Sequence, residues 1–564
     1  MLDKLRERLS TANALPQLTL LGLIVGLLAG ITVIAFRESI GLLQQLYLDA
    51  EHDYHSISAT QRFWLPVLGA MFLGFCFQLI PKNMRQVGVV HVMERLAHHQ
   101  GKLPYQNALV QFFGAIAAMA SGLSMGREGP GVHLGAANGS LLGQWLRLPN
   151  SSLSVLVACG VAGAIGASFN TPLAGVVFAM EVVLMEYTMA SFAPVILATV
   201  SATTLTRLMY GAEPAFSVPA MHLGSAWELP VIITMALIIA VFAASFIGLM
   251  RYFTLALSNW PIWARMTLGG VATGLLAVFL PDVMGIGYVT VNQALLGELS
   301  LGLLLGLALA KVLATTAGLG MGLPGGLIAP TLVIGAAVGG ATGLIANSLF
   351  PGEVSNYGFY AMVGMGTMMA ATLQAPLAAL LAILELTGNP NILFPGMLAV
   401  VVATLVTSEV FGRQGVFLSQ IRVRGVDYQH DPFTQSLRRT GVMKVIDNRF
   451  QPLPRFVSRE AIENTLVLHP RWIVINEDNL PTAMLPGADL ALALSSEPEQ
   501  GDFDLLAIPA QRRQLNAISS RVTLQHALTQ MQEHGIEALA VVEGKHVLGV
   551  VTLSDIEAHY RIGA

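Results

Sequence analysis

The chain repeats itself. Residues 129–139, GPGVHLGAANG, align without a gap on residues 329–339, APTLVIGAAVG. Pro130, Gly135, Ala136, Ala137 and Gly139 meet Pro330, Gly335, Ala336, Ala337 and Gly339 at a constant offset of 200. Further along and in the same order, residues 167–182 (ASFNTPLAGVVFAMEV) align on 371–386 (ATLQAPLAALLAILEL). Here Pro172, Leu173, Ala174 and Glu181 fall on Pro376, Leu377, Ala378 and Glu385 at an offset of 204. Two collinear matches predict two related halves, each built to the same plan.

The setting of those halves follows from charge. Only 11% of the 564 residues are charged and 54% are hydrophobic, against about a quarter charged in ordinary soluble domains. Leu15 to Phe36, Phe63 to Ile80, Pro230 to Met250, Leu299 to Ala317 and Met397 to Phe411 approach or reach the roughly 20 residues that a helix needs to cross a bilayer. Other apolar pieces are shorter and broken by Gly or Pro. Broken helices at membrane depth are tolerated where protein buries them or where they line a polar cavity. The fold class expected is therefore an all-α polytopic membrane domain of two related halves with broken helices. Residues 413–564 carry many more charges and no run of membrane length, so a soluble C-terminal α/β domain follows. The boundaries expected are 1–425 for the membrane domain, 426–440 for a linker and 441–564 for the soluble domain.

The opening MLDKLRERLS is charged and reads as an amphipathic helical start, without a cleavage site of small residues. Lys4, Arg6 and Arg8 before the first span, and Arg413, Arg422 and Arg424 after the last, place both ends on the cytoplasmic side by the positive-inside rule. A multi-pass protein of a bacterial inner membrane is the expectation. Cys76 and Cys159 both lie in apolar segments and read as packing residues, with no zinc site or disulfide framework. No cofactor is required by this pattern, and nothing in it suits a nucleic acid.

Both members of the first repeat pair put Gly and Pro just before an apolar helix, GREGP at 126–130 and GLPGGLIAP at 322–330. Proline suits a first helical turn, and glycine lets backbone approach a ligand closely. Helix N-termini expose unpaired N–H groups and the positive end of the dipole, so they bind anions. Arg127 and Glu128, set between glycines, are then conspicuous. A carboxylate at an anion-binding helix end competes with a free anion for the same N–H donors. Adjacent side chains at a helix start usually point apart, which argues against a mere Arg127–Glu128 ion pair.

These motifs resemble those of the CLC family of chloride channels and chloride/proton exchangers, some of them voltage-gated. GREGP looks like the family signature, GGLIAP at 325–330 like its second anion-binding loop, and NTPLAGVVFAMEV like a third motif. The resemblance implies an inverted-repeat membrane domain and a homodimer with one anion path per subunit and Glu128 as the gate. The anion would be held near Val87, Gly88, Arg127, Glu128, Gly129, Leu327, Ile328 and Phe417, with the backbone amides of Leu327 and Ile328 at its centre. Departures from the family matter too. QVGVV at 86–90 puts Val87 where the family has serine, and GVFLSQI puts Phe417 where it has tyrosine. Neither side chain donates a hydrogen bond, so central anion binding should weaken. Val182 stands where exchangers commonly carry a second glutamate, which favours a channel or a weakly coupled carrier. Glu128 and Glu181 are the candidates for a proton path, although the repeat partner Glu385 suggests a structural task for Glu181. The alternative is a proton-coupled exchanger of chloride or of another anion such as fluoride or nitrate, with Pro130 speaking against the fluoride branch. A remoter alternative is an intramembrane enzyme using Glu128 with His133, which no H-E-x-x-H or nucleophile motif supports.

Residues 521–560 resemble a CBS module, with the second copy of a pair expected at about 512–562. The preceding copy, about 441–500, looks degenerate: RWIVIN reads as its strand, but no S/T-x-x-D follows. In nucleotide-binding members of that family, residues at the spacing of Thr552 and Asp555 contact phosphate and ribose, which would make an adenine nucleotide the ligand. The alternative is that Asp555 caps the last helix.

Overall fold

The computed structural model describes residues 15–49, 53–187, 189–216, 221–351, 354–426, 437, 440–477, 480–496, 502–544 and 546–563. Lys4, Arg6, Arg8 and most of the expected linker lie outside them. The chain divides into two compact units, one of Leu15–Trp145 and Ser154–Tyr428, the other gathering Leu146–Leu153 with the residues from Gln429 onward.

In the larger unit the helices are α1 (Leu15–Gln44), α2 (Ala59–Leu79), α3 (Gly88–His98), α4 (Tyr105–Ala120), α5 (Glu128–Trp145), α6 (Asn150–Phe169), α7 (Pro172–Phe178) and α8 (Met189–Tyr210). The second half begins with α9 (Leu229–Ala256), α10 (Ile262–Phe279), α11 (Tyr288–Leu296) and α12 (Leu301–Gly320). It continues with α13 (Ile328–Leu349), α14 (Tyr357–Leu373), α15 (Pro376–Thr387), α16 (Leu393–Leu405) and α17 (Val416–Val423). From α2 to α8 each helix has a counterpart about 200 residues later, in order, from α10 to α16. Nine helices among the described residues are long and apolar enough to cross a membrane. Several others, including α3, α7, α11 and α15, are too short to cross and start or stop inside the protein.

Counterparts also touch. Helix α2 packs on α10, α5 on α13 and α7 on α15. A surface that meets its own equivalent must lie on a two-fold axis. The carboxylate of Glu181 accepts hydrogen bonds from the N–H groups of Leu377 (3.2 Å) and Ala378 (2.7 Å) at the start of α15. Glu385 in turn accepts from Leu173 (3.0 Å) and Ala174 (2.8 Å) at the start of α7. Each half caps a helix of the other, and the offset is 204 both ways. Residues Ala179–Leu184, which carry Glu181, form a π-helical turn continuing α7.

The conserved spacing of glycines between halves has a steric cause. A Cβ on Gly135 of α5 would lie 2.1 Å from the carbonyl oxygen of Gly160 on α6, and one on Gly160 would lie 1.9 Å from the oxygen of Gly135. The second half repeats the crossing with Gly335 and Gly364, 2.3 Å in each direction. Backbone-to-backbone approach of this kind is how membrane helices associate without a hydrophobic driving force.

The smaller unit holds β1 (Phe450–Pro454), β2 (Phe456–Val457), α18 (Arg459–Leu466), β3 (Trp472–Glu477), β4 (Leu480–Pro486), α19 (Gly487–Ser496) and β5 (Phe503–Asp504). After them come β6 (Arg513–Ser519), α20 (Leu524–His534), β7 (Ala538–Glu543), β8 (His546–Thr552) and α21 (Leu553–Gly563). Six strands form one sheet in the order β1-β3-β4-β6-β7-β8. Within it, β1 and β3 are parallel and β3 and β4 antiparallel, and β6, β7 and β8 repeat the pattern. The join is the antiparallel pairing of Ala483 with Gln514 and Met484 with Arg513. RWIVIN does form a strand, β3. The unit extends beyond the expected boundary at 441, because Leu437 is buried with Val442, Leu524 and Leu539 in the core of the second copy.

Because nothing can relax around two backbones in contact, Gly135→Ala is expected to destabilise the protein by about 1–3 kcal/mol through overpacking. Gly302→Ala on α12, where a Cβ meets nothing within 4 Å, is expected to leave stability unchanged. Thermal unfolding of the two variants in one detergent, followed side by side, checks the contrast.

Candidate anion site

The loops before α5 and α13 are joined by a two-residue antiparallel bridge. Gly126 N–H donates to Gly326 O and Gly326 N–H donates to Gly126 O, both at 2.8 Å. The pairing of residues 126 and 326, the same position in each half, fixes the two helix starts side by side. Glycine is required there: a Cβ on Gly326 would stand 2.6 Å from the nitrogen of Gly129 and 2.8 Å from the Glu128 carboxyl carbon, and one on Gly129 would stand 2.7 Å from the oxygen of Gly325.

Glu128 opens α5 yet its side chain serves α13. The carboxylate is buried, 1% exposed, and its Oε1 accepts the N–H of Ala329 at 2.8 Å. Ala329 is the second residue of α13, so this amide is one of those that a helix start leaves without an internal partner. No side chain of its own half caps it: Leu327 is the N-cap residue and makes no side-chain bond. Glu128 Oε2 is buried without a partner. The carboxylate thus occupies, from the other half, the place at a helix start where an anion binds.

Arg127 turns the other way. One guanidinium nitrogen donates to the carbonyl of Ser168 at 2.5 Å, and the group lies 5.8 Å from the Phe169 ring centre and 5.7 Å from that of Tyr288. Its expected part in anion binding is not what the side chain does in this conformation. It anchors the loop to α6 and α11 and leaves Glu128 free of an ion pair with its neighbour. Leu327 and Ile328 lie at the start of α13, as expected, but the amide that Glu128 engages belongs to Ala329. Sequence reading passed over Ala329 because any residue supplies an amide; the offset of 200 from Gly129 was the available signal. The Ile328 side chain faces a cavity whose wall includes Phe169, Thr171, Phe178, Met369 and Leu386.

Val87 and Phe417 occupy two further helix starts. Val87 is the N-cap residue of α3, extended at φ −144° and ψ 171°, with no side-chain cap bond. Gly88 follows at φ +81°, a left-handed conformation that glycine adopts without strain, and the space where a Cβ would sit is open. Phe417 is the second residue of α17 and is buried. Helix α3 packs against both α5 and α17, and α5 packs against α13. The Glu181 carboxylate has both oxygens engaged at the start of α15, a capping contact. His133 lies 3.1 Å from His91, and no hydrogen bond ties it to Glu128 among the described residues.

In the soluble unit Thr552 and Asp555 bond to one another. Asp555 accepts from the Thr552 N–H (3.0 Å) and hydroxyl (2.5 Å), and the Asp555 N–H donates back to Thr552 Oγ1 at 3.3 Å. That reciprocal arrangement is a capping box at the start of α21, and it engages both residues without a nucleotide. The first copy is less degenerate than its sequence suggests. Trp472 pairs with Pro486 as Ala538 pairs with Thr552, 66 residues apart in both cases. Asp489 therefore stands where Asp555 does, with Pro486 in place of the threonine, and accepts the N–H of Gln511 at 2.9 Å.

The model of the voltage gated chloride channel family matches residues 69–408, and the CBS domain model matches 511–560. The chain belongs to the voltage-gated chloride channel (CLC) family. It is 31% identical over 411 residues to the voltage-gated ClC-type chloride channel ClcB of Escherichia coli, covering 71% of this chain and 97% of that one. It is 28% identical over 432 residues to the H(+)/Cl(−) exchange transporter ClcA of Vibrio cholerae, covering 74% and 91%. The crystal structure of a eukaryotic CLC transporter superposes with a TM-score of 0.59 at 17% identity, covering 96% of this chain and 98% of that chain, a likeness of fold. Inverted-repeat CLC architecture with a C-terminal CBS pair is thus the fold of this protein.

A hydroxyl at the N-cap of α3 would supply what Val87 lacks. Val87→Ser with Phe417→Tyr is expected to tighten chloride binding by about 0.5–1.5 kcal/mol per hydrogen bond gained, read by calorimetry on the purified protein. Unchanged affinity would show that these two helix starts do not face the anion.

Proposed function

We propose that this CLC protein moves chloride or a similar small anion across the membrane along a path gated by Glu128, either as a channel or with weak coupling to protons. The observation that carries the reading is the bond from the Ala329 N–H to the Glu128 carboxylate at 2.8 Å. As an anion, Glu128 is a tethered occupant of the α13 helix start. A free anion displaces it by taking over the same donor, and protonation releases it by removing the charge that a helix start favours. Gly126, Gly129 and Gly326 keep the two starts close enough for one side chain to reach from half to half. No covalent chemistry is needed, and the reading is transport, not catalysis.

The protein is read as a homodimer in a bacterial inner membrane, both termini cytoplasmic, with each subunit carrying its own path. Chloride and protons are the partners considered, and no cofactor enters the transport step. The nucleotide reading of the CBS pair is set aside in favour of the cap, since Thr552 and Asp555 satisfy one another.

Glu128→Gln keeps the shape of the side chain but cannot ionise. In liposomes it is expected to retain anion flux and lose most of the dependence of that flux on pH. Abolished flux, or flux as pH-sensitive as before, would contradict the gate.

Coupling is the second question, raised by the relative named as an H(+)/Cl(−) exchanger. Exchange requires the gate to receive protons from one side only, in step with an anion that does not slip. Val182 cannot relay a proton, Glu181 is committed to capping α15, and neither Val87 nor Phe417 offers a hydroxyl to hold the anion. The expected outcome in chloride-gradient liposomes is a reversal potential near the chloride equilibrium value with little uphill proton movement. Sustained proton pumping driven by the chloride gradient would establish the exchanger instead.

A further inference from the structure

Two imidazoles are buried against one another within the transport unit, and the gating scheme uses neither. His91 lies on α3, four residues after Val87, and His133 lies on α5, five residues after Glu128. They are 1% and 0% exposed. His91 Nδ1 and His133 Nε2 are 3.1 Å apart, and the rings meet nearly edge to face, centroids 5.1 Å apart at 67°. At a rise of about 1.5 Å per residue, the pair stands roughly 6–8 Å along the helix axes from the starts of α3 and α5. Helix α3 also packs against the π-turn that bears Val182 and against α17.

A purely structural contact between these helices would be served by one shared N–H, and glutamine would provide it without titrating. What the pair adds is a second ring nitrogen, His133 Nδ1, which is buried and has no partner. With His133 Nε2–H donating to His91 Nδ1, that orphan is a bare lone pair. A buried imidazole lone pair without a partner is a group to which a proton can bind.

The charges around the pair decide when a proton is welcome. Along α3 stand Glu94, Arg95 and His98, with His99 just past its end. Beyond α17 stands Arg424, 3.5 Å from Glu94; burial foremost, and then the charges of Arg95, Arg424 and His99, disfavour a proton on His91, so a nearby anion is what would offset them. Helix α17 itself adds Arg422. From α5 come Arg127, tied to Ser168, and Glu128. The π-turn offers Glu181, tied to α15, and α1 offers Arg37 and Glu38. Helices α4 and α13, which also pack on α5, carry no charged residue and no histidine. Cations outnumber free carboxylates on the α3 and α17 side. An added positive charge there gains most when a halide sits at the neighbouring helix starts, because opposite charges at short range in a water-poor site attract strongly.

We propose that His91 and His133 form a proton-binding site linked to anion occupancy: the pair takes one proton from water when an anion rests at the α3 and α5 helix starts, and returns it when the anion leaves. The inference rests on the reading of the protein as an anion carrier. The step is a protonation. The Nδ1 lone pair of His133 accepts H+ from hydronium: an N–H bond forms as one O–H bond of hydronium breaks and leaves water, and the charge of the pair goes from 0 to +1. The pH dependence that survives in Glu128→Gln then belongs to this pair.

The test uses the full-length Glu128→Gln protein, in which the gate does not titrate. Calorimetric titration with sodium chloride near pH 6, in two buffers of different ionisation enthalpy, reads the protons taken up per chloride bound. A fractional uptake is expected, and it is expected to vanish when His133→Gln or His91→Gln is added. In parallel, 15N spectra of histidine-labelled protein should show an N–H···N pair whose shifts respond to chloride at fixed pH. Chloride binding without proton uptake overturns the proposal, and so does uptake that persists in the histidine variants. Should those variants fail to fold, the spectra decide alone: signals of the pair that ignore chloride overturn it. Absence of chloride binding in both wild type and Glu128→Gln would be a different result, contradicting the anion reading and this linkage together.

Discussion

One hydrogen bond organises this molecule: the carboxylate of Glu128, on the first turn of α5, accepts the Ala329 amide on the first turn of α13. It joins the two halves at equivalent positions and fills the electropositive end of a helix with a tethered anion. A helix start buried at membrane depth needs a partner, since water is not there to supply one. Here the partner is a side chain that can be neutralised by a proton or exchanged for a solute. The same physical need that stabilises the fold is thus the one that the proposed anion site would use.

The other contacts between halves show what a permanent solution to that need looks like. Glu181 and Glu385 each take two amides at the starts of α15 and α7, with both carboxylate oxygens engaged. Glu128 takes one amide with one oxygen and leaves the other unpaired in a buried site. That difference is what the proposed gate requires and a structural cap does not. The glycines at 126, 129 and 326 bring the two loops within hydrogen-bonding range, while those at 135, 160, 335 and 364 hold the helices behind the loops at a fixed crossing. Arg127, turned onto Ser168 and the Phe169 and Tyr288 rings, anchors the loop from the other side.

Much of this was legible in the sequence because it rests on residue types with special backbone properties. Proline and glycine at matching places in two halves announce helix starts and close crossings, so the repeat, the two loops and the prominence of Glu128 could be read directly. Glu181 and Glu385 could be recognised as partners, though not as reciprocal caps, which only the two-fold arrangement shows. Ala329 was illegible, because its contribution is an amide that every residue but proline has. Arg127 misled: its charge suggests an anion ligand, and its geometry makes it an anchor. The first CBS copy looked degenerate because Pro486 replaces the threonine of the motif, yet strand register places Asp489 on Asp555. His91 and His133, 42 residues apart on different helices, gave no signal of contact at all.

The claim that Glu128 stands in for the transported anion is tested most directly by locating an anion when the carboxylate is gone. Anomalous diffraction from bromide-soaked crystals of the Glu128→Gln protein should show a peak within hydrogen-bonding reach of the Ala329 nitrogen, at a position that the carboxylate fills in the wild type. A Glu128→Gln structure with bromide bound only elsewhere, and the Ala329 amide still held by the side chain or by nothing, would contradict the account.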